Sequence, residues 1–147
     1  LLELDDGTFL SESDAILFYL AKDTGLWSRD PEEQAQILRW MFFEQSRIEA
    51  SIAVVRYQRH YKNEKERIIP FENELRRRGI EALRVMDDHL ENHDFFAANR
   101  FTIADIALYA YSHVSGEAGI DLADFPNIRE WITRVEERER FIPFTER

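Results

Sequence analysis

The stretch Asp30-Pro31-Glu32-Glu33-Gln34-Ala35-Gln36-Ile37-Leu38-Arg39-Trp40-Met41-Phe42-Phe43 decides how this chain folds. Asp30 suits an N-cap, because a carboxylate there accepts from backbone N–H groups that the first helical turn leaves unpaired. Pro31 fits the first helical position, where its missing N–H removes nothing, and Glu33 puts an acidic side chain three residues after the cap. Beyond this start, Ile37, Leu38, Met41, Phe42, Ile48, Ile52 and Val55 recur at three and four, while Trp40, Phe43 and Val54 lie on further faces. The spacing predicts a long helix packed on several sides. Running to about Tyr57, it would be roughly 40 Å long and would bound any cleft built on it.

Downstream the pattern stays helical. Lys62 to Arg78 is dense in both charge signs, which reads as a solvated helix face. Leu75, Ile80, Leu83, Met86 and Leu90 then mark a second amphipathic helix, and Gly79 within it, at a cost of about 1 kcal/mol relative to alanine, points to close backbone packing. A third helix follows Phe101-Thr102: Thr102 is the N-cap, Asp105 stands at the capping-box position, and Phe101 and Ile106 flank the cap as a hydrophobic staple. A fourth starts near Phe125-Pro126 with Ile128, Trp131, Ile132 and Val135 on one face, and Pro143 is expected to end regular structure.

Upstream the period changes. Leu2 and Leu4 alternate with polar residues, Asp6-Gly7 offers a two-residue turn, and Thr8-Phe9-Leu10 resumes a β-type run, which together predict a hairpin. Ser11-Glu12-Ser13-Asp14 then opens a short amphipathic helix closed by Gly25. A lone hairpin is marginal in water, and the first residue is Leu rather than Met, so the expectation is that further strands lie upstream. The chain divides into residues 1–22, a linker at 23–29 and an all-α domain at 30–147.

Composition narrows the function. Lys plus Arg total 19 against 29 Asp plus Glu, a net charge of −10, which opposes a nucleic-acid partner because phosphate binding relies on cationic neutralisation. No apolar stretch approaches the ~20 residues a bilayer requires, so no membrane partner is expected. Cysteine is absent, which removes thiolate ligands and a cysteine nucleophile and suits a reducing, cytoplasmic location. His89 and His93 stand four apart, but Leu90 occupies the place of a metalloprotease glutamate and no third ligand is evident, so no metal is expected. Asp87-Asp88 and Glu136-Glu137 are consecutive, point about 100° apart on a helix, and read as solvated charge.

Four motifs carry a family resemblance. Asp6-Gly7-x-x-Leu10-x-Glu12-Ser13-x-Ala15-Ile16 resembles the end of the thioredoxin-like domain of cytosolic glutathione transferases of bacterial type. Trp40 with Phe43-Glu44-Gln45 looks like the first long helix of that family's C-terminal domain, Phe101 to Ala107 resembles its most recognisable motif, and Phe125-Pro126-x-Ile128-x-x-Trp131-x-x-Arg134-Val135 resembles the helix after it. The resemblance implies a mainly α fold: an all-helical C-terminal bundle preceded by a β-hairpin and helix left over from a thioredoxin-like α/β domain. It also implies glutathione as co-substrate, with Glu12 and Ser13 at a helix mouth where free N–H groups and the helix dipole favour the γ-glutamyl carboxylate. The second partner would be a small hydrophobic electrophile, held between the domains by Phe43, Arg47 and Val54 of the long helix and Tyr109 and His113 of the third. A homodimer is implied as well.

The family's activating Ser, Tyr or Cys and its cis-proline match no residue here, so the catalytic residue is unassigned and this chain alone is expected to be inactive. Two readings follow: a glutathione transferase carrying part of its glutathione site, or a non-catalytic module of the same fold used for protein association. Glu12-Ser13 favours the enzyme, because a pure scaffold need not keep a carboxylate-binding helix mouth.

Overall fold

The computed structural model describes residues 1–63 and 65–143. Strand β1 (Leu2–Glu3) pairs antiparallel with β2 (Phe9–Leu10), with Leu2 opposite Leu10 and Glu3 opposite Phe9. Asp6-Gly7 does not form a two-residue turn. The Gly7 N–H donates to the Leu4 carbonyl at 2.9 Å and the Leu4 N–H to Thr8 at 2.8 Å, so three residues span the loop. Gly7 alone in it has positive φ, at 81°. A type I turn followed by one left-handed glycine gives this longer loop. Helix α1 (Ser13–Ala21) follows and lies against α5 (Ile103–Ser112).

The long helix is continuous to Tyr61 but has three parts: α2 (Pro31–Phe43), a π-helical segment (Glu44–Ala53) and α3 (Val54–Tyr61). Its start is as expected, with the Asp30 carboxylate accepting from Glu32 and Glu33 N–H groups at 3.0 Å. Glu33 does not close the box, because Ser28 donates to it at 2.7 Å and Arg100 pairs with it at 2.9 Å. In the π-helical segment the bonds run i→i+5, so the faces counted at three and four lose their phase.

Helix α4 (Ile69–Leu90) packs on the π-segment, and Gly79 is the reason it can come so close. A Cβ there would stand 2.9 Å from Ile52 Cγ1 and 3.0 Å from Ile120 Cδ1. Not all of the charge-dense stretch is solvated: Glu72 on α4 is only 2% exposed. Helix α6 (Pro126–Glu136) packs on α4. Asp87 is likewise not free charge. It accepts from the Ile128 N–H at 3.0 Å and the Asn127 amide at 3.1 Å, serving the first turn of α6 from across the bundle. Among the described residues the last regular element ends at Glu136, before Pro143.

The core gathers Ile37, Ile48, Ile52, Leu83, Met86, Ile103, Leu108, Ile128 and Trp131, all fully hidden. Each such side chain contributes about 1.5–3 kcal/mol by leaving water. The Thr102 cap and Asp105 reciprocate as a capping box, and Asp105 also accepts from Trp131 Nε1 at 3.1 Å and the Phe96 N–H at 3.2 Å. Among the described residues no strand lies beyond Arg29 except a single bridge between Ala97 and Arg100. The chain is therefore mainly helical, with one hairpin.

Candidate functional site

Helix α1 begins under strain. Glu12, at its N-cap position, has φ 69° and ψ 119°, outside the regions where non-glycine residues usually lie. No side chain among the described residues caps this helix, so neither Ser11 nor Ser13 plays the capping part that the Ser-x-Ser pattern allows. The mouth of α1 thus has Ser13 exposed beside first-turn N–H groups, with Glu12 exposed next to it.

Behind that mouth lies a cavity of about 570 Å³ between α1, the π-segment, α3 and the end of α5. Ser13 reaches its edge, and Ile16, Leu17, Ile106, Ala107, Ala110 and Val114 form apolar walls. The polar groups facing it are Asp14, Glu44, Glu49, Arg56, Tyr111 and His113. Glu44 is 2% exposed, and its Oε1 has no hydrogen-bond partner among the described residues. The Gln45 amide bridges Glu44 and Glu49 at 2.9 Å each, while Asp14 Oδ2 is buried and unpartnered. Burial pushes the Glu44 carboxyl up to about 8, with the Gln45 bond opposing and Asp14 and Glu49 reinforcing the rise. Burial, then Glu49, raises Asp14 to about 6.

The residues expected to wall a pocket are spread over four surroundings. His113 lines this cavity, its Nδ1–H donating to the Tyr109 carbonyl at 2.6 Å and its ring stacked on Tyr109 at 4.2 Å. Tyr109 lines an adjoining cavity of about 380 Å³ and donates its hydroxyl to Glu136 at 2.8 Å, so Glu136 is not merely solvated. Burial first, and Glu136 next, hold that hydroxyl above its ordinary range, which keeps it a donor. Arg47 lies across the long helix in a cavity of about 300 Å³ against Arg77, Arg78 and Glu81. Phe43 packs edge-on against Trp40 at 5.2 Å, and Val54 packs on the core. The π-segment between Phe43 and Val54 is what separates residues that α-helical spacing puts on one face.

Asp14, Glu44, Glu49, Arg56 and Tyr111 escape a reading by sequence pattern. A signal for Glu44 does exist. It continues the stripe Ile37, Trp40, Glu44, Ile48 at spacings of three and four, so an ionisable side chain stands where an apolar one is expected.

A family model, Glutathione S-transferase, C-terminal domain, matches residues 47–139. The chain superposes on the crystal structure of a glutathione S-transferase from Pseudomonas fluorescens Pf-5 with TM-score 0.91 and 40% identity, covering 96% of this chain and 70% of that one. It is 32% identical to the disulfide-bond oxidoreductase YfcG of Escherichia coli K12 over 88% of this chain and 60% of YfcG. It is 31% identical to elongation factor 1-gamma of Artemia salina over 93% of this chain and 32% of that protein. The chain thus spans less than two thirds of either curated relative.

Proposed function

Since this chain belongs to the glutathione S-transferase family, we propose that it is the helical part of a glutathione transferase, with residues 1–22 completing a thioredoxin-like domain and 30–147 forming the C-terminal domain. Glutathione binds with its γ-glutamyl carboxylate at the mouth of α1, against Ser13 and Glu12. An apolar electrophile occupies the cavity behind it, reaching His113 and the adjoining Tyr109, while Phe43, Arg47 and Val54 support the long helix that bounds the site. The glutathione thiolate forms a carbon–sulfur bond with the electrophile, either adding to it or expelling a leaving group. We place the group that activates the sulfur outside these residues, and the working form in the cytoplasm as a homodimer.

One observation supports this reading most: the strained Glu12 backbone ahead of Ser13, at a helix start that no described side chain caps. Strain of about 1–3 kcal/mol persists only where surrounding structure imposes it, and it clusters at ligand clamps. Hydrogen bonds to a charged group contribute about 1.5–3 kcal/mol, so in the whole protein Ser13→Ala is expected to weaken glutathione binding by roughly one to two orders of magnitude. Calorimetric titration of both proteins, with thermal melts alongside, measures this. Because Ser13 caps nothing, the melts should agree within about 0.5 kcal/mol. Equal glutathione affinities would remove Ser13 from the site. Failure of the whole protein to bind glutathione would favour an association module, a reading that the likeness to elongation factor 1-gamma supports.

A further inference from the structure

We propose that the cavity between α1, the π-segment and α5 binds apolar molecules that carry a protonated amine, seating the ammonium between Asp14 and Glu44. The lining of the cavity is of two kinds. Ile16, Leu17, Ile106 and Ala110 supply an apolar body, whereas Asp14, Glu44 and Glu49 bring three carboxyl groups near enough to raise one another. A neutral hydrocarbon would fill the first and leave the second unsatisfied.

The carboxyl-bearing group of residues is short of donors. Gln45 spends its amide on Glu44 Oε2 and Glu49 Oε2, which leaves Glu44 Oε1 and Asp14 Oδ2 buried with nothing to accept from. Buried polar atoms in folded proteins are nearly always paired, so two orphaned acceptors in one cavity call for a donor that the described residues do not provide. Arg56 also lines the cavity, but it pairs with Glu117 through its Nε and gives neither of these two oxygens a hydrogen bond. An ammonium group has three N–H donors and the opposite charge, and it can serve both oxygens at once. The apolar walls select an organic cation over a hydrated metal ion, which would keep its waters.

Proton balance agrees. Near neutrality burial and the neighbouring Asp14 and Glu49 favour a proton on Glu44, a single donor where an ammonium would supply three. Arg56, Tyr111 and His113 also face the cavity, and the carboxylates lie on α1 and the π-segment. Seating an ammonium favours the ionised carboxylate, so binding should expel a proton to solvent. That such a ligand would be a substrate rests on the proposed transferase reading, but the binding itself does not.

The test is calorimetric titration of n-hexylamine and of 1-hexanol into the protein near neutral pH. It is repeated in buffers of different ionisation enthalpy and for Asp14→Asn, Glu44→Gln and the double variant. The amine is expected to bind at least about tenfold more tightly than the alcohol and to release a proton, and in the double variant the two should agree within about twofold. Both substitutions keep side-chain shape, and thermal melts of each single variant verify folding. Equal affinities in the wild type, or a preference for amine surviving in the double variant, would overturn the proposal. So would one-for-one displacement of hexylamine by glutathione, which would assign these carboxylates to the peptide's own ammonium. Loss of glutathione binding with the preference for amine intact would sink only the transferase reading.

Discussion

Glu44 and Glu72 are hidden to the same degree, each 2% exposed, yet one lies in the middle of the long helix with no cation bonded to it among the described residues and the other lies at the start of α4 between two. Arg67 holds Glu72 through both Nε, at 3.0 Å, and Nη2, at 2.6 Å, and Arg59 adds a contact at 2.8 Å. Burial by itself would raise the Glu72 carboxyl, but Arg67 and Arg59 outweigh it and hold it below its ordinary value. Glu44 has only a neutral amide, and burial wins. Equal exposure therefore goes with opposite shifts: Glu44 sits deep among protein atoms with no cation bonded to it among the described residues, whereas Glu72 lies nearer the surface, covered by the arginines that pair with it. Depth and partner act together, because the cost of desolvating a carboxylate grows with depth and a cation offsets it.

The largest expected effect tests the paired end. Glu72→Ala leaves two guanidinium groups facing each other across a vacated pocket. Since Arg59 and Arg67 are 27% and 19% exposed, water relieves part of this, and a loss of about 2–3 kcal/mol is expected. Urea unfolding measures it. A change below about 0.5 kcal/mol would place Glu72 with ordinary surface ion pairs.

Between the two regions, Gly79 sets how closely α4 approaches the π-segment that bears Glu44. Gly79→Ala gains about 1 kcal/mol of helix propensity, but its methyl group meets Ile52 and Ile120 at 2.9 and 3.0 Å. Overpacking of that kind costs about 1–3 kcal/mol, so the net expectation is destabilisation by up to about 2 kcal/mol in the same unfolding assay. A more stable variant would show that the helices can separate without loss.

Acid distinguishes the two carboxylates most finely. A folded-state pKa of about 8 against an ordinary 4.5 means that the native protein binds the Glu44 proton more tightly than the unfolded chain does. That contribution is fully present below about 4.5 and is lost as pH rises through about 8. Glu72 has the reverse sign: its contribution is present above 4.5 and is lost as pH falls through its depressed value. Glu44→Gln should therefore raise the melting temperature by a few degrees above pH 8, with the advantage closing towards pH 4.5. Parallel melting curves across that range would show that Glu44 is ionised in the folded protein.

Legibility follows reach along the chain. The Asp30 cap, the Thr102–Asp105 box and the positive φ of Gly7 each involve partners within a few residues, and all three were readable as pattern. Gly79 was readable for another reason, since a glycine inside a good helix needs a cause. Asp87 was misread because the helix start it serves lies forty residues on. Glu72 was misread because Arg59 reaches it from the previous helix, thirteen residues back. The proposed pocket walls scattered because ten π-helical residues intervene between Phe43 and Val54, and α-helical counting has no term for that shift.

The order of amino acids by itself determined the helical bundle, its hairpin preface, its family and the helix mouth at Glu12-Ser13. Those depend on backbone propensities, on caps and on the period of apolar residues, all of which act over one or two turns. Only the tertiary structure decided which carboxylates are charged. That property depends on what desolvates an oxygen and what donates to it, and for Asp14, Glu44 and Glu72 these neighbours come from helices distant in the chain and adjacent in space.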